Sequence, residues 1–136
     1  MIRTHALRLT PGQDLKAALQ AFVSNNNIQA GWLVTCVGSL TEYHIRFANQ
    51  SEGTKGSGHF EIVSLSGTLS ANGSHIHISI SDHTGKTIGG HLLDGNMIYT
   101  TAEIVLQESA EFVFTREKDG TTSWDELQIR EKRSGS

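Results

Sequence analysis

The chain has 136 residues, enough for one domain with a proper core and too short for two comfortable ones. With 37% hydrophobic and 18% charged residues and no long charge block, it is expected to fold rather than stay disordered. A net charge of −3, histidines neutral, argues against a whole-surface nucleic-acid binder, because phosphate affinity comes largely from Lys and Arg. The only adjacent basic pair is Lys132-Arg133. No apolar run is long enough to span a membrane, and no basic-then-apolar signal opens the chain. The lone cysteine, Cys36, lies in the apolar run Trp32–Val37, which excludes an internal disulfide and suggests a buried core thiol rather than a nucleophile. Together these features predict a cytoplasmic protein.

Ile2 to Leu9 is predicted as a first strand whose apolar side changes partway, as at a bulge or an edge: Arg3 and His5 precede Leu7 and Leu9 on one side. Thr10-Pro11-Gly12 breaks it. Asp14 then caps a helix with Leu15, Ala18, Leu19, Phe22 and Val23 at the 3.6 period, ended by Ser24-Asn25-Asn26-Asn27. Gly31 to Val37, apolar on both faces, reads as a central strand covered on both sides. Gly38-Ser39 leads to a further strand at Tyr43, Ile45 and Phe47. Ser51 to Gly58 reads as a mobile loop by composition. His59 to Leu69 is a strand with a break near Ser64, and Asn72-Gly73 turns the chain into the next one.

That next stretch, Ser74 to Asp94, organises the rest. His75 and His77 share one face of a strand whose other face carries Ile76, Ile78 and Ile80. Asp82-His83-Thr84-Gly85 suits a type I turn followed by a left-handed glycine, giving a three-residue loop with a bulge. Counting outward from an Asp82–Lys86 pair sets Ile88 opposite Ile80, Gly90 opposite Ile78, His91 opposite His77 and Leu92 opposite Ile76. A two-residue loop would instead send His91 behind the sheet. Gly89-Gly90 would let another backbone approach closely.

After the turn Asp94-Gly95-Asn96, the sequence predicts a long strand from Met97 to Leu106, then Glu111 to Arg116 and Thr122 to Ile129, split by Lys118-Asp119-Gly120. Residues 1–133 form one domain and Ser134-Gly135-Ser136 a flexible tail. The expected fold is α+β, a largely antiparallel sheet with one main helix packed on it. Open sheet edges and residues such as Trp32 and Phe47 are candidates for cover by oligomerisation.

Three clustered imidazoles are the donor set of an open metal site, in which water or substrate takes the fourth position. Zinc is the first choice, although iron, nickel and copper also accept imidazole. Glu103, on the long strand, is the candidate acid or base should that strand bring its carboxylate near the metal; otherwise it is a solvated strand-face residue. Asp94 either orients a ligand histidine or begins a turn, and Glu61 is read as a structural contact. His83 is read as a turn residue, and His5, His44 and His59 as surface positions. Arg46 is a candidate anion contact.

The segments Gly58–Gly67 (GHFEIVSLSG), His75-Ile76-His77 and Gly89–Gly95 (GGHLLDG), in this order, resemble the PPC (plants and prokaryotes conserved) domain family, with similarity from the opening strand to Phe114. The resemblance implies a compact domain on an antiparallel sheet, assembled as a homotrimer. In flowering plants the domain follows an AT-hook, so stand-alone prokaryotic members often carry a DNA-binding label; this chain has no Arg-Gly-Arg-Pro core. The domain also looks like a distant fold relative of acetolactate decarboxylase, in which a His-x-His and a later His hold zinc. Carried over by position, the ligands are His75, His77 and His91. That implies a small-molecule ligand and a metal-dependent lyase- or hydrolase-like activity, with a DNA-binding or regulatory module as the alternative.

Overall fold

The computed structural model describes residues 1–132, so the predicted tail at 134–136 lies outside the described residues. Eight strands and one helix follow in the order β1 (Ile2–Leu9), α1 (Leu15–Asn25), β2 (Gly31–Arg46), β3 (Thr54–Leu69), β4 (His75–Ser81), β5 (Thr87–Leu92), β6 (Met97–Ser109), β7 (Phe112–Glu117) and β8 (Glu126–Glu131). The main sheet has six strands in the order β1-β6-β2-β3-β4-β5, every pair antiparallel; β7 and β8 form a separate hairpin. The α+β expectation holds.

The helix forms where the apolar period placed it. Asp14 is its N-cap, its carboxylate accepting from the Ala17 amide, and Asn27 leaves the helix at φ 49°. Leu15, Leu19 and Val23 are fully buried and face one side of the curled sheet, where Ile76, Ile78, Ile80, Leu92, Ile98, Ile104 and Leu106 complete the core. Each such side chain contributes about 1.5–3 kcal/mol on burial, so this interface holds the helix in place.

Closure of the sheet is what builds the site. β2 runs 16 residues and bends through three register shifts, between Leu33 and Thr35, Gly38 and Leu40, and Leu40 and Glu42. Its pairing with β6 ends at Met97–Glu42, and the edge freed beyond that point is taken by β5 through Ile45–Leu92 and Arg46–His91. Strands β2 to β5 thus curl into a partly closed barrel around the isoleucines of β4.

Several expectations are corrected. The two strands expected on either side of Gly38-Ser39 are one continuous β2, because bulges, rather than a turn, absorb the bend. Residues Thr54 to Gly58 are the start of β3 and not loop: Thr54 to Ser57 pair with Glu42 to Ile45, and Tyr43 packs edge-on against Phe60 at 5.1 Å. The break near Ser64 is a register shift between Ile62 and Ser64. β2 is central but covered on one side only, since Val34 is 51% and Val37 60% exposed. β1 pairs with β6 without a bulge: His5, Leu7 and Leu9 keep one inward side, where His5 Nε2 lies 2.6 Å from Glu108 Oε2 and its ring meets Phe22 edge-on. His5 is therefore a packed residue, and a histidine can share an apolar face when a carboxylate satisfies its nitrogen. His44, also expected on the surface, is half-buried, with Nδ1 2.7 Å from the Asp94 carbonyl oxygen.

Candidate metal centre

The hairpin closes as counted. Gly85 has φ 84°, its amide donates to the Asp82 carbonyl, and the Asp82 amide donates to the Lys86 carbonyl. Asp82 Oδ1 also accepts from the Thr84 amide and hydroxyl, an Asx-type lock on the turn that holds its carboxyl below the usual range. The resulting register pairs Ile80 with Ile88, Ile78 with Gly90 and His77 with His91. The ladder ends there, and Leu92, expected opposite Ile76, pairs instead with Ile45 of β2.

Ser66, His77, His91 and Arg46 therefore stand in one row across β3, β4, β5 and β2, and directly paired residues share a face. His75 sits two residues along β4 on the same face, opposite Thr68. The three rings converge, with centroids 4.8 Å apart for His75–His77, 5.1 Å for His75–His91 and 5.9 Å for His77–His91. One ring nitrogen from each lies within 4.8 Å of the others. Tetrahedral zinc sets its nitrogen ligands roughly 3.3 Å apart, given Zn–N bonds of about 2.0–2.1 Å, so small side-chain rotations suffice to close the set.

Gly89 and Gly90 make the close approach possible. A Cβ on Gly90 would fall 2.4 Å from the Arg46 carbonyl oxygen, and one on Gly89 2.5 Å from that of Ile78. Only a bare backbone fits between β4 and β2 here.

The environment of His75 and His91 favours the neutral imidazole, which is the state that ligates metal. Burial first, then the positive charge of Arg46, pushes His91 down to about 4. His75 is lowered by burial and by Arg116, with Glu126 opposing. Among the described residues none hydrogen-bonds to these three rings through a side chain, so their nitrogens are available. The donor set fits a divalent metal of borderline softness.

Above the row lies a cleft of about 700 Å³, lined by the histidines, Arg46, the segment Phe47–Ser51, Gly89, Gly90 and Trp124. A second recess adjoins it between Arg46, Ser74, Arg116, Trp124 and Glu126. Arg116 and Trp124 come from the β7–β8 hairpin, which leans over the row: Arg116 Nη2 donates to Thr68 Oγ1 at 2.9 Å, and the Arg46 guanidinium lies 4.9 Å from the Trp124 ring centroid. Sequence inspection missed Arg116 and Trp124, because nothing local links a distal hairpin to the histidines. Arg46 was legible only as a lone cation.

The other candidates lie elsewhere. Glu103 is exposed on β6 between Arg8 and Val37 and lines a separate cleft with Ala6, Thr35 and Val105; within one chain it is not brought to the histidines. Cys36, beside it, has its thiol pushed up to about 11 by burial and then by Glu103, the behaviour of a core thiol. Asp94 is exposed and begins the turn into β6; Glu61 is exposed between Ser39 and Ser81. His83 is an exposed turn residue.

With the fold and the row in view, the sequence matches the Plants and Prokaryotes Conserved (PCC) domain over residues 1–110. The chain belongs to this family. Its PCC domain is 46% identical to part of a protein named bifunctional protein GlmU from Synechococcus sp. (strain JA-3-3Ab), over 94% of this chain and 21% of that protein. It is 30% identical to part of AT-hook motif nuclear-localized protein 13 of Arabidopsis thaliana, over 69% of this chain and 24% of that one. The chain thus spans about a fifth to a quarter of the curated relatives it matches. A solved structure of a hypothetical protein from Salmonella superposes with TM-score 0.95 at 40% identity, covering 98% of this chain and 96% of that one. A metal-containing protein from Archaeoglobus fulgidus superposes with TM-score 0.77 at 25% identity, covering 93% of each chain.

Proposed function

We propose that this PCC domain is a metal-dependent small-molecule site carried on a homotrimer, with His75, His77 and His91 as the ligands. The observation that carries the reading is the convergence of three imidazoles, with one ring nitrogen of each within 4.8 Å of the others, at the floor of an open cleft. A divalent metal held there, zinc by preference, supplies a Lewis acid that polarises a carboxylate or carbonyl or acidifies water. This chain's own contribution is to disfavour protonation of His75 and His91, to leave one side of the row open, and to line that side with Arg46, Arg116 and Trp124. Metal content in the Archaeoglobus relative is consistent with it. Glu103 remains the candidate acid or base only if a second protomer brings it to the cleft.

The trimer is supported by the exposed apolar side chains Val34, Val37, Val63 and Tyr99, on the three adjacent strands β2, β3 and β6. An apolar face of this kind is characteristic of a surface that another copy covers. No helix is long and apolar enough to cross a membrane; a cytoplasmic location is proposed from the single unpaired cysteine.

Zinc titration followed by calorimetry tests the reading. Uptake of about one metal per chain, abolished in His77→Ala and His91→Ala while the fold and assembly persist, supports a reactive rather than a structural site. DNA binding, the alternative that the family resemblance raised, has an acidic overall balance against it, and steep loss of DNA affinity with salt would be its signature.

A further inference from the structure

The β7–β8 hairpin lies beyond residue 110, past the part of the chain that matches the family, yet it supplies one wall of the cleft. Its chief contribution is Arg116. The guanidinium spends Nη2 on Thr68, while Nε is buried with no hydrogen-bond partner. A buried N–H without a partner is costly, and Arg offers its donors as a planar fork suited to carboxylate or phosphate oxygens. Arg46 stands on the same recess, directly opposite His91.

Among the described residues the ion pairs are Met1–Glu111 and His5–Glu108, so neither arginine is paired with a carboxylate. The carboxylates Asp125 and Glu126 line the recess as well, yet neither forms an ion pair with these arginines, and Glu126 Oε2 accepts a hydrogen bond from the Thr122 hydroxyl at 2.6 Å. Two guanidiniums without a carboxylate partner thus stand beside the three histidines, one of them with a buried donor left unsatisfied. Donors placed in this way suit an anion.

We propose that the cleft takes a small dianion, with one oxygen-donor group at the histidines and a second anionic group, carboxylate or phosphate, held by Arg46 and Arg116. The inference rests on the metal reading above and specifies the ligand class of that site. It also assigns the choice of ligand to the β7–β8 hairpin, since Arg116 and Trp124 both come from it. Trp124 holds the Arg46 guanidinium over its ring and so positions that cation without spending its donors.

The experiment compares matched probes by calorimetry at pH 7.5 on zinc-loaded protein: L-malate against L-lactate, and 2-phosphoglycolate against glycolate. Each pair shares a 2-hydroxy-acid or glycolate head and differs in the second charge. In wild type the probe with the second anionic group is expected to bind at least about tenfold tighter in one pair, and the pair that responds names that group. Arg46→Gln and Arg116→Gln should each reduce that preference to about twofold or less while zinc content stays at the wild-type level. Lys86→Gln, at the far turn of the β4–β5 hairpin, should leave it intact. Equal affinities within both pairs, a preference that survives both arginine variants, or equal loss in Lys86→Gln would overturn the proposal. Zinc content separates the two failures: wild type that takes up no zinc refutes the metal reading, whereas zinc-loaded protein indifferent to the second charge refutes only the dianion.

Discussion

Arg46 stands directly opposite His91 across the β2–β5 pairing, so a cation and a candidate metal ligand share one face at the point where the sheet closes. The pairing ties architecture to chemistry. The bulged β2 must bend far enough to reach β5, and the same bend brings up the Arg46 charge that adds to burial, the larger cause, in lowering the His91 pKa.

Gly90→Ala tests this link. The added methyl meets the Arg46 carbonyl, so β2 and β5 must separate. Overpacking of this kind costs about 1–3 kcal/mol. A lowered melting temperature together with weakened zinc uptake is expected; unchanged values for both would mean that the closure does not shape the site.

Acid should destabilise the metal-free protein through His91. Its pKa is about 4 in the fold against the ordinary histidine value of 6.5, so the unfolded chain takes up the proton first. The stability is fully present above pH ~6.5 and is lost as pH falls toward ~4. Because the ring is partly exposed, solvent screening reduces the effect. Thermal melts of metal-free wild type and His91→Asn at pH 7 and pH 4.5 should show a larger decrease for wild type. Equal decreases would contradict the shift.

The exposed apolar side chains of β2 and β3 predict a vulnerable assembly. Val37→Glu and Val63→Glu each place a charge on that face, and either should shift the sedimentation of the proposed trimer toward monomer without loss of helix or strand signal. A trimer that survives both would place the interface elsewhere.

Much of this was legible in the sequence where local rules dominate. The alternation of His75, His77 and the isoleucines, with the turn chemistry of Asp82 and Gly85, specified the His77–His91 pair from residues alone. The helix was equally local. What failed was non-local: Thr54 to Gly58 has the composition of a loop and becomes strand because Glu42 to Ile45 pairs with Thr54 to Ser57. His5 looked solvent-facing until β6 brought Glu108 to it. Arg116 and Trp124 reach the site from a hairpin far along the chain, and no period or spacing encodes that contact.

The most direct test of the central claim is metal content per chain in protein purified without an affinity tag, measured beside its His75→Ala variant. The account predicts about one tightly held divalent metal per chain in wild type, and loss of it in the variant with the fold intact. Wild-type protein that carries no metal and takes up neither zinc nor iron would contradict it.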